Sequence, residues 1–141
     1  MTPVRPRPAV ERDSAPFWAA LARHELVAGR CADCGRWRWP LRAICGACGS
    51  LEWSVEPVSG RASVASFVVN RHGFGGAFPL PSTVVLARLA EQDDLLVPGG
   101  WAGEPDGTGL AIGAPLEAGF VDEPGDADDA APFTLLVWRS V

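Results

Sequence analysis

Four cysteines carry the clearest chemistry in this sequence. They stand as Cys31-Ala-Asp-Cys34-Gly35 and Cys45-Gly-Ala-Cys48-Gly49, with ten residues, Gly35 to Ile44, between Cys34 and Cys45. Two Cys-x-x-Cys units on a short arm have the spacing of a tetrahedral four-thiolate zinc site, because each pair delivers two sulfurs to one ion from a single tight turn. Gly35 and Gly49 suit such turns, since the residue after the second cysteine often needs positive φ. The competing assignment is two disulfides in a small secreted domain. It is disfavoured by the low cysteine density and by an N-terminus without an apolar leader run. A four-cysteine centre has no open coordination position, so the zinc expected at Cys31, Cys34, Cys45 and Cys48 is structural and activates no water.

No other stretch spells out a catalytic set. There is no Gly-x-Ser-x-Gly elbow, no Walker A loop and no His-Glu-x-x-His. The two histidines, His24 and His72, have no acid or nucleophile assigned to them by spacing. His24 reads as a solvated helix residue. The expectation is a chain without catalytic residues of its own.

Size and charge narrow the options further. The chain has 141 residues, 48% of them hydrophobic, which allows one core-bearing domain or two very small ones. No apolar run is long enough for a membrane helix. Residues 1–48 hold 8 Arg against 4 acids, and the remainder 4 Arg against 13 acids, within a net charge of −5. Positive charge for a phosphate ligand is therefore concentrated in the first third. The acidic remainder argues against general nucleic-acid binding. Thiols reserved for metal point to a reducing, cytoplasmic setting.

The elements that position these residues can be read from local pattern. Residues 1–12 read as an extended lead rich in proline and arginine. A helix is expected from Ser14, with Pro16 in its first turn and Gly29 at its end. Its narrow apolar face, Phe17, Trp18 and Leu21, either packs on its own domain or anchors another subunit. The arm Arg36-Trp37-Arg38-Trp39-Pro40-Leu41-Arg42 alternates at period two, which reads as a hairpin strand with one aromatic and one basic face. Trp37 and Trp39 cover a metal site too small for its own core, or Arg36, Arg38 and Arg42 beside them reach phosphates. Five strands are expected at 58–70, 82–91, 95–101, 115–122 and 132–139. Five short strands without a long helix fit an OB-type closed barrel better than a sandwich. The glycine-rich stretch Arg71–Pro81 is too long for a hairpin turn and reads as a functional or mobile loop. The expected class is mainly β. The expected units are a lead and helix at 1–29, a zinc ribbon at 30–52 and an OB-fold barrel at 53–141.

This order resembles the DUF35 family of OB-fold, acyl-CoA-associated proteins. The matching stretches are Phe17-Trp18-x-x-Leu21, Cys31-x-x-Cys34-Gly35, Trp39-Pro40, Cys45-x-x-Cys48-Gly49, Val58-Ser-Gly60-Arg61-Ala-Ser-Val64 and Ile112-Gly113-x-Pro115-Leu116. The resemblance runs from about Phe17 to Arg139. It implies a non-catalytic companion of a thiolase-fold enzyme, a thiolase or a lipid-transfer-type aldolase of steroid side-chain breakdown. Such a companion stabilises the catalytic subunit in a hetero-oligomer and helps shape its acyl-CoA channel. As an extension of that resemblance, a CoA ester would set its adenine against Trp37 or Trp39 with Arg36, Arg38 and Arg42 near its phosphates. The glycine-rich 71–81 loop departs from many relatives, so channel contacts do not carry over there. The alternative is a single-stranded nucleic-acid-binding zinc-ribbon and OB protein, which would need a basic barrel groove.

Overall fold

In the computed structural model, which describes all residues except 1–4, 74–75, 77 and 126–130, helix α1 covers Ala15–Ala22. It is shorter than the sequence pattern suggests. Arg23 N–H turns back to the Ala20 carbonyl, and His24 adopts a positive φ of 58°, which ends the helix well before the expected stop at Gly29. The reason lies in the next few residues of the chain. Leu26, Val27 and Ala28 are all buried in succession, and burial on both sides suits a strand rather than one face of a helix. Strand β1 accordingly takes Val27–Cys31.

Strands β2 (Trp37–Arg38) and β3 (Trp53–Pro57) flank β1 in a three-stranded antiparallel sheet ordered β2-β1-β3. The arm's alternation therefore survives as a strand of two residues. Its expected division into an aromatic and a basic face does not hold. Register places Trp37 opposite Arg30 on one face and Arg38 opposite Gly29 on the other. Each face then pairs an arginine with an indole, Arg30 on Trp37 and Arg38 on Trp53.

Five further strands are β4 (Arg61–Asn70), β5 (Ser82–Leu89), β6 (Leu96–Trp101), β7 (Pro115–Glu123) and β8 (Phe133–Ser140). They close into a barrel ordered β4-β5-β6-β8-β7. Every pairing is antiparallel except β6 with β8, and β4 joins β7 to complete the circle. This is the five-stranded Greek-key barrel of the OB type. A register shift between Val64 and Ser66 bends β4 so that one strand serves both β5 and β7.

Alternation fills the interior: Thr83, Val85, Ala87 and Leu89 of β5 point inward, as do Thr134, Leu136 and Trp138 of β8. Trp138 is fully buried and donates its indole N–H to the Val97 carbonyl at 3.2 Å. Gly99 makes room for it, since a Cβ there would lie 2.8 Å from Trp138 Cδ1 and Nε1. Helix α1 packs on β8, and Phe17, Ala20 and Leu21 join Leu26, Val27 and the barrel residues in one hydrophobic cluster. Helix, ribbon and barrel thus share a core. Among the described residues no helix is long and apolar enough to cross a membrane.

Candidate metal centre and its surroundings

The four cysteine sulfurs lie within 4.8 Å of one another. Cys31 and Cys48 approach to 3.6 Å, and so do Cys34 and Cys45, while all four remain free thiols. Tetrahedral zinc with bonds of about 2.3 Å needs sulfurs roughly 3.8 Å apart, so the set fits the ion. The two turns are built alike. Gly35 N–H bonds the Cys31 carbonyl at 3.0 Å and Gly49 N–H bonds the Cys45 carbonyl at 2.9 Å. Both glycines have positive φ, 77° and 76°. β1 delivers Cys31 at its last residue, and the Cys31 N–H is held by the Arg36 carbonyl.

The electrostatics of the donor set are those of a cation site. Backbone N–H groups of Cys48 and Ala47 aim at Cys45 and bring its thiol down to about 6. Cys31 is lowered mainly by the Cys34 N–H. For Cys48 the Ser50 N–H acts in the lowering direction, but the Cys31 sulfur, burial and the other two sulfurs outweigh it and push the thiol up to about 12. Four thiolates at this spacing repel one another, and a divalent ion removes that repulsion. Zinc held there would be structural, with no vacant position for substrate.

The residues expected to bind a partner are placed differently from one another. Phe17 is 7% exposed and Leu21 is fully buried. Their role as exposed anchors is corrected, because both side chains are used by the chain's own core. Phe17 meets the Trp39 ring edge-on at 5.5 Å. Trp18 alone stays half-exposed, bordering a groove of about 260 Å³ with Val10, Ala19, Ala22, Pro132 and Phe133.

The arginines and tryptophans of the arm do surround one cleft of about 480 Å³, together with Cys45, Gln92 and Asp94. They do not all offer charge to it. Arg36 is ion-paired with Asp94. Arg38 is corrected as a phosphate ligand, since its three guanidinium nitrogens are sealed from solvent. Arg42 is exposed and makes no ion pair among the described residues. Trp37 carries Arg30 on its ring, and Trp39 packs on Phe17.

Two long-range contacts escape sequence reasoning. Gln92, in the β5–β6 turn, accepts the Trp37 N–H at 2.9 Å and donates to the Trp37 carbonyl at 3.0 Å. His24, expected to be a solvated residue, places Nε2 2.9 Å from Asp122 Oδ1 on β7, and its ring stacks on Phe120 at 5.2 Å. Thr134 donates to the same Asp122 oxygen at 2.7 Å. These bonds hold Asp122 below the usual carboxylate value, the His24 bond most of all. No spacing signal marks either pair, which are 55 and 98 residues apart.

The outward side of β5 and β6 presents Val84, Leu86, Pro98 and Gly100, and Arg88 turns back to the Asp93 carbonyl of its own hairpin. Single-strand recognition rests on exposed aromatic rings in a basic groove. The outward residues of β5 and β6 include no aromatic ring, and their arginine, Arg88, is bonded within its own hairpin.

Fold and site together define a structural zinc ribbon joined to an OB barrel. A family profile described as "ChsH2, rubredoxin-like zinc ribbon domain" matches residues 18–54. A solved structure described as "Ltp2-ChsH2(DUF35) aldolase" superposes with a TM-score of 0.80 at 30% identity, covering 95% of this chain and 98% of that one. The chain belongs to the DUF35 family. A DUF35 protein from Sulfolobus solfataricus shares the fold, with a TM-score of 0.62 at 16% identity over 94% of this chain and 87% of that one. Two curated relatives are similar in sequence. The "Probable enoyl-CoA hydratase alpha subunit" of Thermomonospora curvata is 39% identical over 66% of this chain and 29% of its own length. The "3-oxo-4,17-pregnadiene-20-carboxyl-CoA hydratase alpha subunit" of Mycobacterium tuberculosis is 33% identical over 84% of this chain and 37% of its own. The chain thus spans about a third of these curated relatives.

Proposed function

We propose that this chain is a non-catalytic accessory subunit of an enzyme complex acting on acyl-CoA esters in lipid or steroid breakdown, with a thiolase-fold enzyme as its partner. The observation that carries the reading is the near end-to-end likeness, at 30% identity, to a chain of an Ltp2-ChsH2(DUF35) aldolase. The CoA-ester names of the two curated relatives support the substrate class. A metal centre closed by four cysteines supports a structural rather than a chemical use of zinc.

In this reading Trp18 and the groove beside it meet the partner. The ribbon cleft faces the CoA end of the substrate, with Arg42 available to a phosphate and Trp37 and Trp39 forming its walls. A reducing, cytoplasmic compartment keeps the thiols available for zinc.

Co-expression with a thiolase-fold enzyme tests this. The pair is expected to co-purify as a hetero-oligomer, and thioester turnover is expected only when the enzyme is present. Turnover by the isolated chain, or a thiolase-fold partner that is stable and fully active alone, would sink the proposal. Calorimetric titration with a CoA ester, of the chain alone and of the pair, separates a cleft complete in itself from one completed by the partner.

A further inference from the structure

Arg38 is partly buried, and its guanidinium has no counter-ion among the described residues. Its guanidinium nitrogens Nε, Nη1 and Nη2 are all sealed from solvent and have no hydrogen-bond partner among the described residues. Register explains how it arrives there. Arg38 faces Gly29 across β1, Gly29 faces Val55 on β3, and two residues along Cys31 faces Trp53. Residues directly opposed across a sheet, and residues two apart on one strand, share a face. Arg38, Gly29, Cys31 and Trp53 therefore lie on the same side of the ribbon.

Gly29 leaves the path open, since a Cβ there would stand 3.0 Å from Arg38 Cγ and 3.2 Å from Trp53 Cε3. The side chain crosses that gap and ends with its guanidinium carbon 4.7 Å from the Trp53 ring centroid. The ring offsets part of the desolvation of the charge through a cation–π contact. An isolated buried cation costs considerably more than such a contact returns, and such charges are normally found paired.

The other nearby arginines are engaged or solvated: Arg30 lies beside Glu56, Arg36 pairs with Asp94, and Arg42 is exposed. Asp94 borders the same cleft but is engaged by Arg36 and Gln92, and register puts a thiolate of the metal centre on the Arg38 face. Zinc with four thiolates carries a formal charge of about −2. Cys31 shares the sheet face with Arg38, and Cys45 borders the same cleft.

We propose that Arg38 is the built-in counter-charge of the zinc–thiolate centre: a positioning residue held against the Trp53 ring that acts through space, without touching sulfur, to stabilise the anionic cluster. Gly29 and Trp53 are then the parts that let a cation be stored there. The inference rests on zinc occupancy and not on the identity of the partner enzyme, so it stands or falls separately from the accessory-subunit reading.

The test uses the full chain and competition with a zinc chelator, after metal analysis of the wild type. Arg38→Met, which keeps the bulk and removes the charge, is expected to weaken zinc binding about 10- to 100-fold, the range seen for outer-sphere partners of metal sites. Arg38→Lys, which keeps the charge and loses the planar stack, should lie nearer the wild type than Arg38→Met does. In a Cys48→His background the centre carries one negative charge fewer, so the further loss on Arg38→Met should shrink. Three results would overturn the proposal: equal loss in the Met and Lys variants, a Met penalty undiminished by Cys48→His, or a wild-type chain without stoichiometric zinc. If Arg38→Met does not fold, the comparison of Arg38→Lys with the wild type decides, and a Lys variant that binds zinc more than about 10-fold more weakly counts against the charge role.

Discussion

The side-chain amide of Gln92 pairs with both backbone groups of Trp37, taking its N–H at 2.9 Å and giving to its carbonyl at 3.0 Å. A residue of the barrel's β5–β6 turn thereby acts as one more rung on the edge of the ribbon sheet. Asp94, two residues on, receives Gln92 Nε2 at 2.7 Å and the Arg36 guanidinium. The turn grips β2 through two hydrogen bonds and Arg36, just before it, through a third polar contact, and the metal module is fixed to the barrel.

Gln92→Ala is expected to cost about 1–2 kcal/mol in denaturant unfolding, the net worth of two part-buried hydrogen bonds. Gln92→Glu should cost more, since it removes the donor and sets a carboxylate against the Trp37 carbonyl and Asp94. Faster hydrogen exchange at the Trp37 amide would locate the loss. Unchanged exchange in both variants would remove the clamp.

Cys34→Ala, or removal of metal by a chelator, should unfold the ribbon. Metal binding contributes about 10 kcal/mol or more to comparable zinc modules, and this ribbon has few buried apolar side chains of its own. Metal content and tryptophan fluorescence report the change together, because Trp37, Trp39 and Trp53 all belong to the ribbon and its arm. A variant with full zinc and unaltered fluorescence would contradict the four-ligand site.

Phe17→Ala and Trp18→Ala should separate. Phe17 is a core side chain, so its truncation is expected to lower stability by about 3–5 kcal/mol with no partner present. Trp18 is half-exposed, and its truncation should weaken co-purification with the partner enzyme more than it lowers the melting temperature. Equal melting temperatures for the two variants would refute the division.

Gly99→Ala places a methyl group 2.8 Å from the Trp138 indole and 3.1 Å from the Leu136 carbonyl. The expected loss is about 1–3 kcal/mol by overpacking, measured by thermal unfolding. A neutral variant would mean that the Trp138 ring can shift within the barrel.

Acid should loosen the join between the end of α1 and β7. Asp122 is held below its ordinary 3.8, first by its bond to His24 and then by Thr134. A carboxylate lowered in the folded state contributes stability above its unfolded value and loses it as pH falls through the folded one. Asp122→Asn should therefore flatten the stability profile below the ordinary carboxylate range while leaving zinc content intact. A wild-type profile and an Asp122→Asn profile that run parallel through that range would exclude the linkage.

What the sequence determined by itself is whatever depends on neighbours in the chain. Cys31, Cys34, Cys45 and Cys48 declare a metal because two tight turns suffice to aim their sulfurs, and Gly35 and Gly49 supply the backbone that those turns require. The barrel strands declare themselves through apolar alternation, as at Thr83, Val85, Ala87 and Leu89, because each strand has one wet side and one dry side. The family resemblance is carried by the same local stretches.

Tertiary structure alone decided what depends on residues far apart. The helix stops at Ala22 because Leu26–Ala28 are covered on both sides by partners that the local pattern does not reveal. Phe17 and Leu21 turn inward because β8 and Trp39 are there to receive them. The Arg38 guanidinium is sealed from solvent rather than open to a phosphate because Gly29 opposite it has no side chain and Trp53 lies beyond. Burial and pairing of this kind are set by the register between strands, and period-two alternation is indifferent to which strand lies next door.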